Sequence, residues 1–241
     1  MVDAMASLLQ LRKEVRRLAD SKRAKILQRF FKTGKGEYGE GDVFLGLTVP
    51  QARKIAMQFT LLLLDDITKL LESEIHEERL IALFILVDHF NRADEKEKEV
   101  IYTYYLKNTQ HINNWDLVDL STYKIVGAYL LHNDRSVLTR LAKSDNVWER
   151  RIAMIATYQF IKNGSYEDTL RIAKLLLRDR HDLIQKAVGW MLREVGKQSQ
   201  EVLEMFLRKY SREMSRTTLR YAIERFPEKV RKAYLASQII D

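Results

Sequence analysis

A pattern of polar and apolar residues recurs three times in this chain of 241 residues. Segments 149–154 (ERRIAM) and 185–190 (QKAVGW) share it and begin 36 residues apart. Segment 78–83 (ERLIAL) precedes the first of them by 71 residues, which is about two further periods. A period near this length is typical of repeats that contain two helices each. Single repeats cannot bury their apolar faces alone, so the pattern predicts helix pairs that stack on one another.

Helical periodicity extends over most of the chain. Segment 76–90 places Leu80, Leu83 and Val87 on one helix face, and segment 147–161 follows the same period. The chain has only two prolines and nine glycines, which leaves room for long helices, and it lacks the sustained alternation typical of strands. We therefore predict an all-α solenoid of the HEAT or armadillo kind, in which equivalent helices line one concave, basic face.

The pattern indicates one helical-repeat domain, residues 1–241. We expect an N-terminal helical hairpin at about 3–33 and helix-pair repeats at about 48–240. Between them, segment 32–46 holds five of the nine glycines and reads as a loop that ends before Pro50 opens the next helix. Its glycines and lysines could approach a phosphate, but their order is not that of a nucleotide-binding P-loop. A plain flexible loop is the favoured interpretation.

The composition argues against several kinds of chemistry. The absence of cysteine excludes disulfides, thiol catalysis and cysteine-ligated zinc, and five scattered histidines argue against another metal site. Residues 1–10 lack the features of a signal peptide, and the longest apolar run is far too short to cross a membrane. We therefore expect a cytoplasmic monomer without a cofactor or metal. The formal net charge of +8 favours an anionic partner such as nucleic acid.

Two tryptophans, an aspartate and an arginine, which are side chains able to bind sugars, bases or phosphates, fall at related positions of the repeat. Trp115 and Asp119 are four residues apart and therefore share a helix face. Arg151 lies one period beyond Trp115, and Trp190 lies two periods beyond Asp119. For Trp115 and Asp119 alone, ordinary helix packing is the plainer interpretation. In a solenoid, however, all four positions line one wall, so a functional site and helix packing both stay open at this point. Indole faces attract cations and stack on sugars or bases, a carboxylate stabilises an oxocarbenium ion, and arginine binds phosphate.

Three segments around these residues carry a specific resemblance. Segment 114–119 (NWDLVD), segment 148–151 (WERR) and segment 184–194 (IQKAVGWMLRE) match motifs of the AlkD-type family of bacterial DNA alkylation-repair glycosylases. The chain resembles this family over most of its length, from the N-terminal hairpin to the helices around Ala222. Members of the family are HEAT-like helical solenoids, which agrees with the fold that the repeat predicts.

The resemblance implies a role for each residue of the group. Asp119 corresponds to the catalytic carboxylate, and Trp115 and Trp190 correspond to the aromatic pair that contacts the deoxyribose and backbone of the lesion. Phe30 stands where some members carry a tyrosine, and we expect it near the lesion as well. The expected contacts to DNA phosphates are Arg151, by the resemblance, and the basic residues Arg150, Lys186 and Arg193.

These features together predict a monofunctional DNA glycosylase that hydrolyses the N-glycosidic bond of N3- or N7-alkylated purines in duplex DNA and leaves an abasic site. Such a purine is cationic and already activated as a leaving group, so one carboxylate suffices. The four-residue group contains no lysine, which argues against Schiff-base chemistry. Two alternatives stay open: a non-catalytic helical-repeat protein that binds distorted or branched DNA, and a scaffold for protein partners. The sequence leaves open whether the base is flipped or attacked in place.

Overall fold

The structure, a computed structural model, describes residues 7–236. These residues form helices, turns and loops, with one isolated parallel bridge between Val43 and Ile75. The predicted all-α fold is confirmed. The start of the predicted hairpin near residue 3 and the end of the predicted repeats, from 237 onwards, lie outside the described residues. None of the described helices combines the length and the apolar character needed to span a membrane.

The chain divides into two compact units, residues 1–117 and 118–241. The first contains the Gly-rich loop and several helices, most of which pack around one central helix. Its elements are α1 (Leu8–Arg17), α2 (Ser21–Phe30), α3 (Val49–Gln58), α4 (Leu64–Leu71), α5 (His76–Arg92), α6 (Glu95–Lys107), a 3₁₀ turn (Thr109–His111) and the beginning of α7 (Trp115–Thr122).

Short polar residues cap the first turns of α1, α2 and α3. Ser7 forms a capping box with Gln10 at the start of α1, and the Asp20 carboxylate accepts hydrogen bonds from two backbone N–H groups of α2. A second capping box, between Thr48 and Gln51, begins α3, and Pro50 lies in the first turn of that helix as predicted. These caps satisfy N–H groups that have no partner within the helix.

The central helix α5 is buried on nearly every side. All residues from 76 to 87 are buried, although the sequence pattern predicts a single apolar face. The reason is that α1, α3, α4 and α6 all pack against α5, so no side remains open to solvent over this stretch. The charged residues of its first turn are therefore buried too, and they need partners inside the unit.

The second unit is a series of packed helices. After the end of α7 its elements are a π-helical segment (Tyr123–Gly127), α8 (Ala128–Leu130), α9 (Ser136–Ala142), α10 (Val147–Ala156), α11 (Tyr158–Lys162), α12 (Glu167–Leu176), α13 (Asp182–Gln198), α14 (Gln200–Tyr210), α15 (Arg216–Ala222) and α16 (Glu228–Leu235). α9 packs on α10, α12 on α13, and α14 and α15 on α13, while α10 and α13 pack on each other. This arrangement agrees with the predicted helix-pair repeat.

Small residues of the repeated pattern allow the helices to approach closely. Ala153 on α10 is fully buried. A Cβ atom at Gly189 on α13 would lie 2.4 Å from the Cβ of Tyr221 and 2.5 Å from the carbonyl oxygen of Thr218. Those distances are far inside van der Waals contact, so α13 and α15 can pack in this way only around a glycine. The next residue, Trp190, is partly exposed.

Part of the Gly-rich loop is held firmly against α5. One carboxylate oxygen of Glu77 accepts hydrogen bonds from the backbone N–H groups of Leu45, Gly46 and Leu47, at 3.1, 2.7 and 3.1 Å. Gly46 has a φ of +91°, and a Cβ there would lie 2.2 Å from the backbone oxygen of Asp20. The end of the loop is thus an anchored segment, which differs from the plain flexible loop that the glycines suggested.

Candidate functional site

The second unit brings two of the four expected site residues together. Arg151 projects from α10, and its Nε and Nη2 atoms donate hydrogen bonds to the two carboxylate oxygens of Asp119, at 2.9 and 2.8 Å. Nη1 donates to the backbone carbonyl of Leu183 on α13. The side chain of Arg151 is 6% exposed and that of Asp119 is 13% exposed. Asp119 on α7 and Arg151 on α10, which the repeat spacing relates, thus form a bidentate pair.

This pairing fixes the orientation of the Asp119 carboxylate. Two parallel N–H···O bonds from a planar guanidinium hold a carboxylate more rigidly than a single contact does. The expected role of Arg151 was a contact to a DNA phosphate. In this structure three of its five N–H groups donate to Asp119 and to the carbonyl of Leu183 instead. A phosphate would therefore have to bind the remaining two N–H groups.

Trp190 makes its contacts with a different set of residues. Its Nε1 donates a hydrogen bond to Oε1 of Glu194, one turn further along α13, at 3.0 Å. Its ring lies 6.3 Å from the ring of Tyr158, with an angle of 37° between the planes. Tyr158 in turn meets Tyr123 edge to face at 5.2 Å. We call Tyr123, Tyr158 and Trp190 the aromatic surface. Neither tyrosine is among the expected site residues. Tyr123 begins the π-helical segment and Tyr158 begins α11.

In the first unit, Trp115 belongs to a cluster of aromatic rings. It stacks on Phe31, with ring centres 5.0 Å apart and planes within 13° of parallel. Phe44 stacks on the same Phe31 at 4.9 Å. Phe30 and Trp115 meet edge to face, with ring centres 5.9 Å apart, and Phe30 is 61% exposed, an unusual exposure for a phenylalanine. The structure thus brings Phe30 and Trp115 together, as their common expected role requires.

A buried polar network, which no sequence motif marks, lies beneath this aromatic cluster. His76 is at the start of α5, with Nδ1 at 3.0 Å from Oδ2 of Asp42 and Nε2 at 2.8 Å from Oδ2 of Asp116. Arg79 donates to the other oxygen of Asp42 at 2.5 Å, and the side-chain amide of Asn114 donates to Asp42 at 3.0 Å. The network therefore ties the Gly-rich loop and the start of α7 to the central helix.

The network holds its histidine in the charged form. Burial alone would lower the pKa of His76, but the charge of Asp116 and the hydrogen bonds to Asp116 and Asp42 outweigh burial and raise the pKa to about 9. Burial also works against the ionised form of Asp42. The hydrogen bond from His76 and the charge of Arg79 nevertheless hold the pKa of Asp42 below its ordinary value. Both ring nitrogens of His76 then donate, and both aspartates accept.

The remaining expected phosphate contacts all have acidic neighbours. A sequence shows where cations stand along the chain but not which carboxylates the fold brings to them. The observed ion pairs are Arg150 with Asp179 at 2.7 Å, Lys186 with Asp182 at 2.6 Å, and Arg193 with Glu224 and, at 3.6 Å, with Glu194. A phosphate that approached these residues would have to compete with a carboxylate.

The fold and the site define a helical-repeat protein with an arginine-fixed carboxylate in its second unit and a partly exposed aromatic cluster in its first. The sequence matches the family model described as DNA alkylation repair enzyme over residues 11–226. This match extends over most of the chain, so the protein belongs to the family of DNA alkylation repair enzymes.

A solved structure has a similar fold. It is a predicted DNA alkylation repair enzyme from Enterococcus faecalis, with a TM-score of 0.67 and 17% sequence identity. The alignment covers 87% of this chain and 97% of that one. At this level of identity the similarity establishes the shared helical fold. A comparison with curated protein sequences finds no match.

Proposed function

We propose that this member of the family is a monofunctional DNA glycosylase that releases cationic N3- or N7-alkylated purines from duplex DNA. The observation that carries the proposal is the bidentate pair between Asp119 and Arg151, which presents a fixed carboxylate in a chain whose family acts on alkylated DNA. A carboxylate of this kind suits a reaction in which positive charge develops on a sugar.

In the proposed reaction, the bond between C1′ of the deoxyribose and the alkylated base breaks. The bonding electrons go to the base, which leaves as a neutral molecule, while the sugar becomes an oxocarbenium ion. The negative charge of Asp119 stabilises that ion, and Arg151 keeps the carboxylate oriented. Water then attacks C1′ and loses a proton to the solvent, which leaves an abasic site. Because the base is cationic before the bond breaks, the reaction needs no general acid on the leaving group.

The aromatic and basic residues are proposed to bind the DNA. Trp190 in the second unit, and Phe30 and Trp115 in the first, offer ring faces and edges for sugars or bases. Arg150, Lys186 and Arg193 would exchange their present carboxylate partners for DNA phosphates. Contacts of this type give affinity without sequence preference, which suits a search for rare lesions.

The test is the release of 7-methylguanine and 3-methyladenine from methylated duplex DNA, by the parent and by Asp119→Asn. Asparagine keeps the size of the side chain and removes its charge, so we expect release to fall about a hundredfold or more. A matched control is Asp168→Asn, because Asp168 also forms ion pairs with two arginines, Arg135 and Arg171, in the same unit. The control should retain release.

Two outcomes would overturn the proposal. Undiminished release by Asp119→Asn would remove the carboxylate from the mechanism. No release by the parent, together with salt-sensitive binding to duplex DNA, would instead support the non-catalytic DNA-binding protein that the sequence left open.

A further inference from the structure

Glu194 is an acidic residue beneath the aromatic surface, and the proposed mechanism gives it no role. It lies on α13 and is 8% exposed. Oε1 accepts the hydrogen bond from Nε1 of Trp190 at 3.0 Å, and Nζ of Lys197 donates to both oxygens at 2.8 and 2.9 Å. Arg193 lies 3.6 Å from the same carboxylate. A mostly buried carboxylate is costly without partners, and here it has three.

The hydrogen bond to Glu194 decides how Trp190 can meet a ligand. An indole has one donor and no acceptor. Because Glu194 takes that donor, Trp190 has no polar group left for a ligand and can bind only through its ring. The bond also opposes rotation of the indole, because turning the ring would break the hydrogen bond between Nε1 and the mostly buried carboxylate. The ring of Tyr158, whose centre lies 6.3 Å from that of Trp190, further restricts rotation of the indole.

The charges around Glu194 fit an approach by DNA. A lone carboxylate beneath the aromatic surface would repel phosphates. Lys197 and Arg193 both lie within ion-pair distance of it, and Arg193 also pairs with Glu224, so the two cations balance the charges of the two carboxylates. The carboxylate can therefore orient the indole without making the surface acidic, while its negative charge still favours a cation held against the ring face.

We propose that Glu194 is a positioning residue that fixes the indole of Trp190, so that the aromatic surface binds the deoxyribose or the cationic base through ring faces alone. This inference deepens the proposed function and rests on it for the identity of the ligand. It assigns Glu194 an effect that acts through Trp190, and it predicts that a residue able to accept the same hydrogen bond can replace Glu194.

The first test reads the hydrogen bond directly by NMR. The chain has three tryptophans, so a ¹H–¹⁵N spectrum should contain three indole N–H signals, which Trp→Phe variants assign. We expect Glu194→Ala to move the proton signal of Trp190 upfield, because that N–H loses its acceptor. Glu194→Gln and Lys197→Ala should leave the signal near its parent position, because both retain an acceptor oxygen. A Trp190 signal that does not move in Glu194→Ala overturns the inference.

The second test measures kcat/KM for release of 7-methylguanine in the same variants. We expect Glu194→Ala to lower kcat/KM about tenfold or more, as a displaced contact group does, and Glu194→Gln to recover most of the loss. In a Trp190→Phe background, Glu194→Ala should have no further effect, because phenylalanine has no N–H to position. An equal loss in both backgrounds would mean that Glu194 acts on stability and not through Trp190.

A binding measurement separates this inference from the proposed function. If the parent releases no base, the variants are compared for affinity to duplex DNA with a tetrahydrofuran abasic site. Weaker binding by Glu194→Ala, with a Trp190 signal that shifts when the DNA is added to the parent, would support the inference although the glycosylase proposal had failed. Equal affinity of parent and variant would overturn it.

Discussion

The stability of the first unit should depend on pH through His76. The pKa of this histidine is raised from an ordinary value of 6.5 to about 9 by Asp116 and Asp42, against the effect of burial. Each unit of pKa difference between folded and unfolded chain corresponds to about 1.4 kcal/mol. The charged histidine therefore contributes about 3 kcal/mol to the free energy of unfolding.

The direction of the effect follows from the sign of the shift. The contribution is fully present below pH 6.5, where His76 is protonated in the folded and unfolded chains alike. It falls as pH rises, because the folded protein must then keep a proton that the unfolded chain has lost, and it is gone above pH 9. Burial lowers the pKa of His181, so stability from that group rises as pH passes through 6.5, opposite to the effect of His76. The variant that lacks only His76 retains His181, so the difference between the two proteins reports on His76.

The assay is urea unfolding at several pH values between 6 and 10, with hydrogen exchange to locate the loss in residues 7–117. The comparison variant is His76→Gln, which keeps a polar side chain but cannot titrate. We expect the free energy of unfolding of the parent to fall by about 3 kcal/mol across the window and that of the variant to stay nearly level. A level parent curve, or an equally steep curve for the variant, would refute the reasoning. If His76→Gln does not fold, Asp116→Asn should shift the fall to lower pH.

Three further substitutions and one change of substrate test other parts of the structure and the proposed mechanism. Gly189→Ala should reduce the free energy of unfolding by about 1–3 kcal/mol in urea, because its Cβ would overlap Tyr221. Phe30→Ala should alter that free energy by less than about 1 kcal/mol, since the ring is 61% exposed, yet weaken duplex binding about tenfold in a fluorescence anisotropy titration. Arg151→Lys should slow base release about tenfold or more, because lysine cannot hold Asp119 with two parallel bonds. Finally, the parent should not release uracil or hypoxanthine from duplex DNA, because these bases are neutral; measurable release of either would contradict the mechanism.

The fold was largely accessible from the sequence. The period near 36 residues and the scarcity of glycine and proline predict stacked helices, and segments 149–154 and 185–190 lie in α10 and α13, which pack on each other. The burial of α5 was harder to foresee. A helix with charged residues in its first turn looks amphipathic in sequence, and only the helices packed around it explain why Glu77, Glu78 and Arg79 are buried with it.

The sequence predicts only part of the candidate site. Repeat spacing locates residues on equivalent helices, so it relates Asp119 to Arg151 well enough that the two meet in the folded chain. Repeat spacing does not show which residues form hydrogen bonds or ion pairs with a buried charged group. His76, Asp42 and Asp116 come from three separate segments, and no local pattern connects them. Glu194 was visible in the motif around Trp190, but its function as a hydrogen-bond acceptor depends on side-chain geometry.

The pair between Asp119 and Arg151 also bears on which lesions the protein can act on. A carboxylate that shares its charge with a bidentate arginine attracts a developing sugar cation less strongly than a lone carboxylate would, but it is better ordered. That exchange is favourable when the leaving base already carries positive charge, since bond cleavage then needs orientation more than electrostatic force. For a neutral base the same pair would be a disadvantage, because the reaction would need an acid that protonates the base. Under the proposed glycosylase mechanism, the geometry at Arg151 therefore favours cationic lesions, and the arginine would determine substrate range together with the carboxylate that it holds.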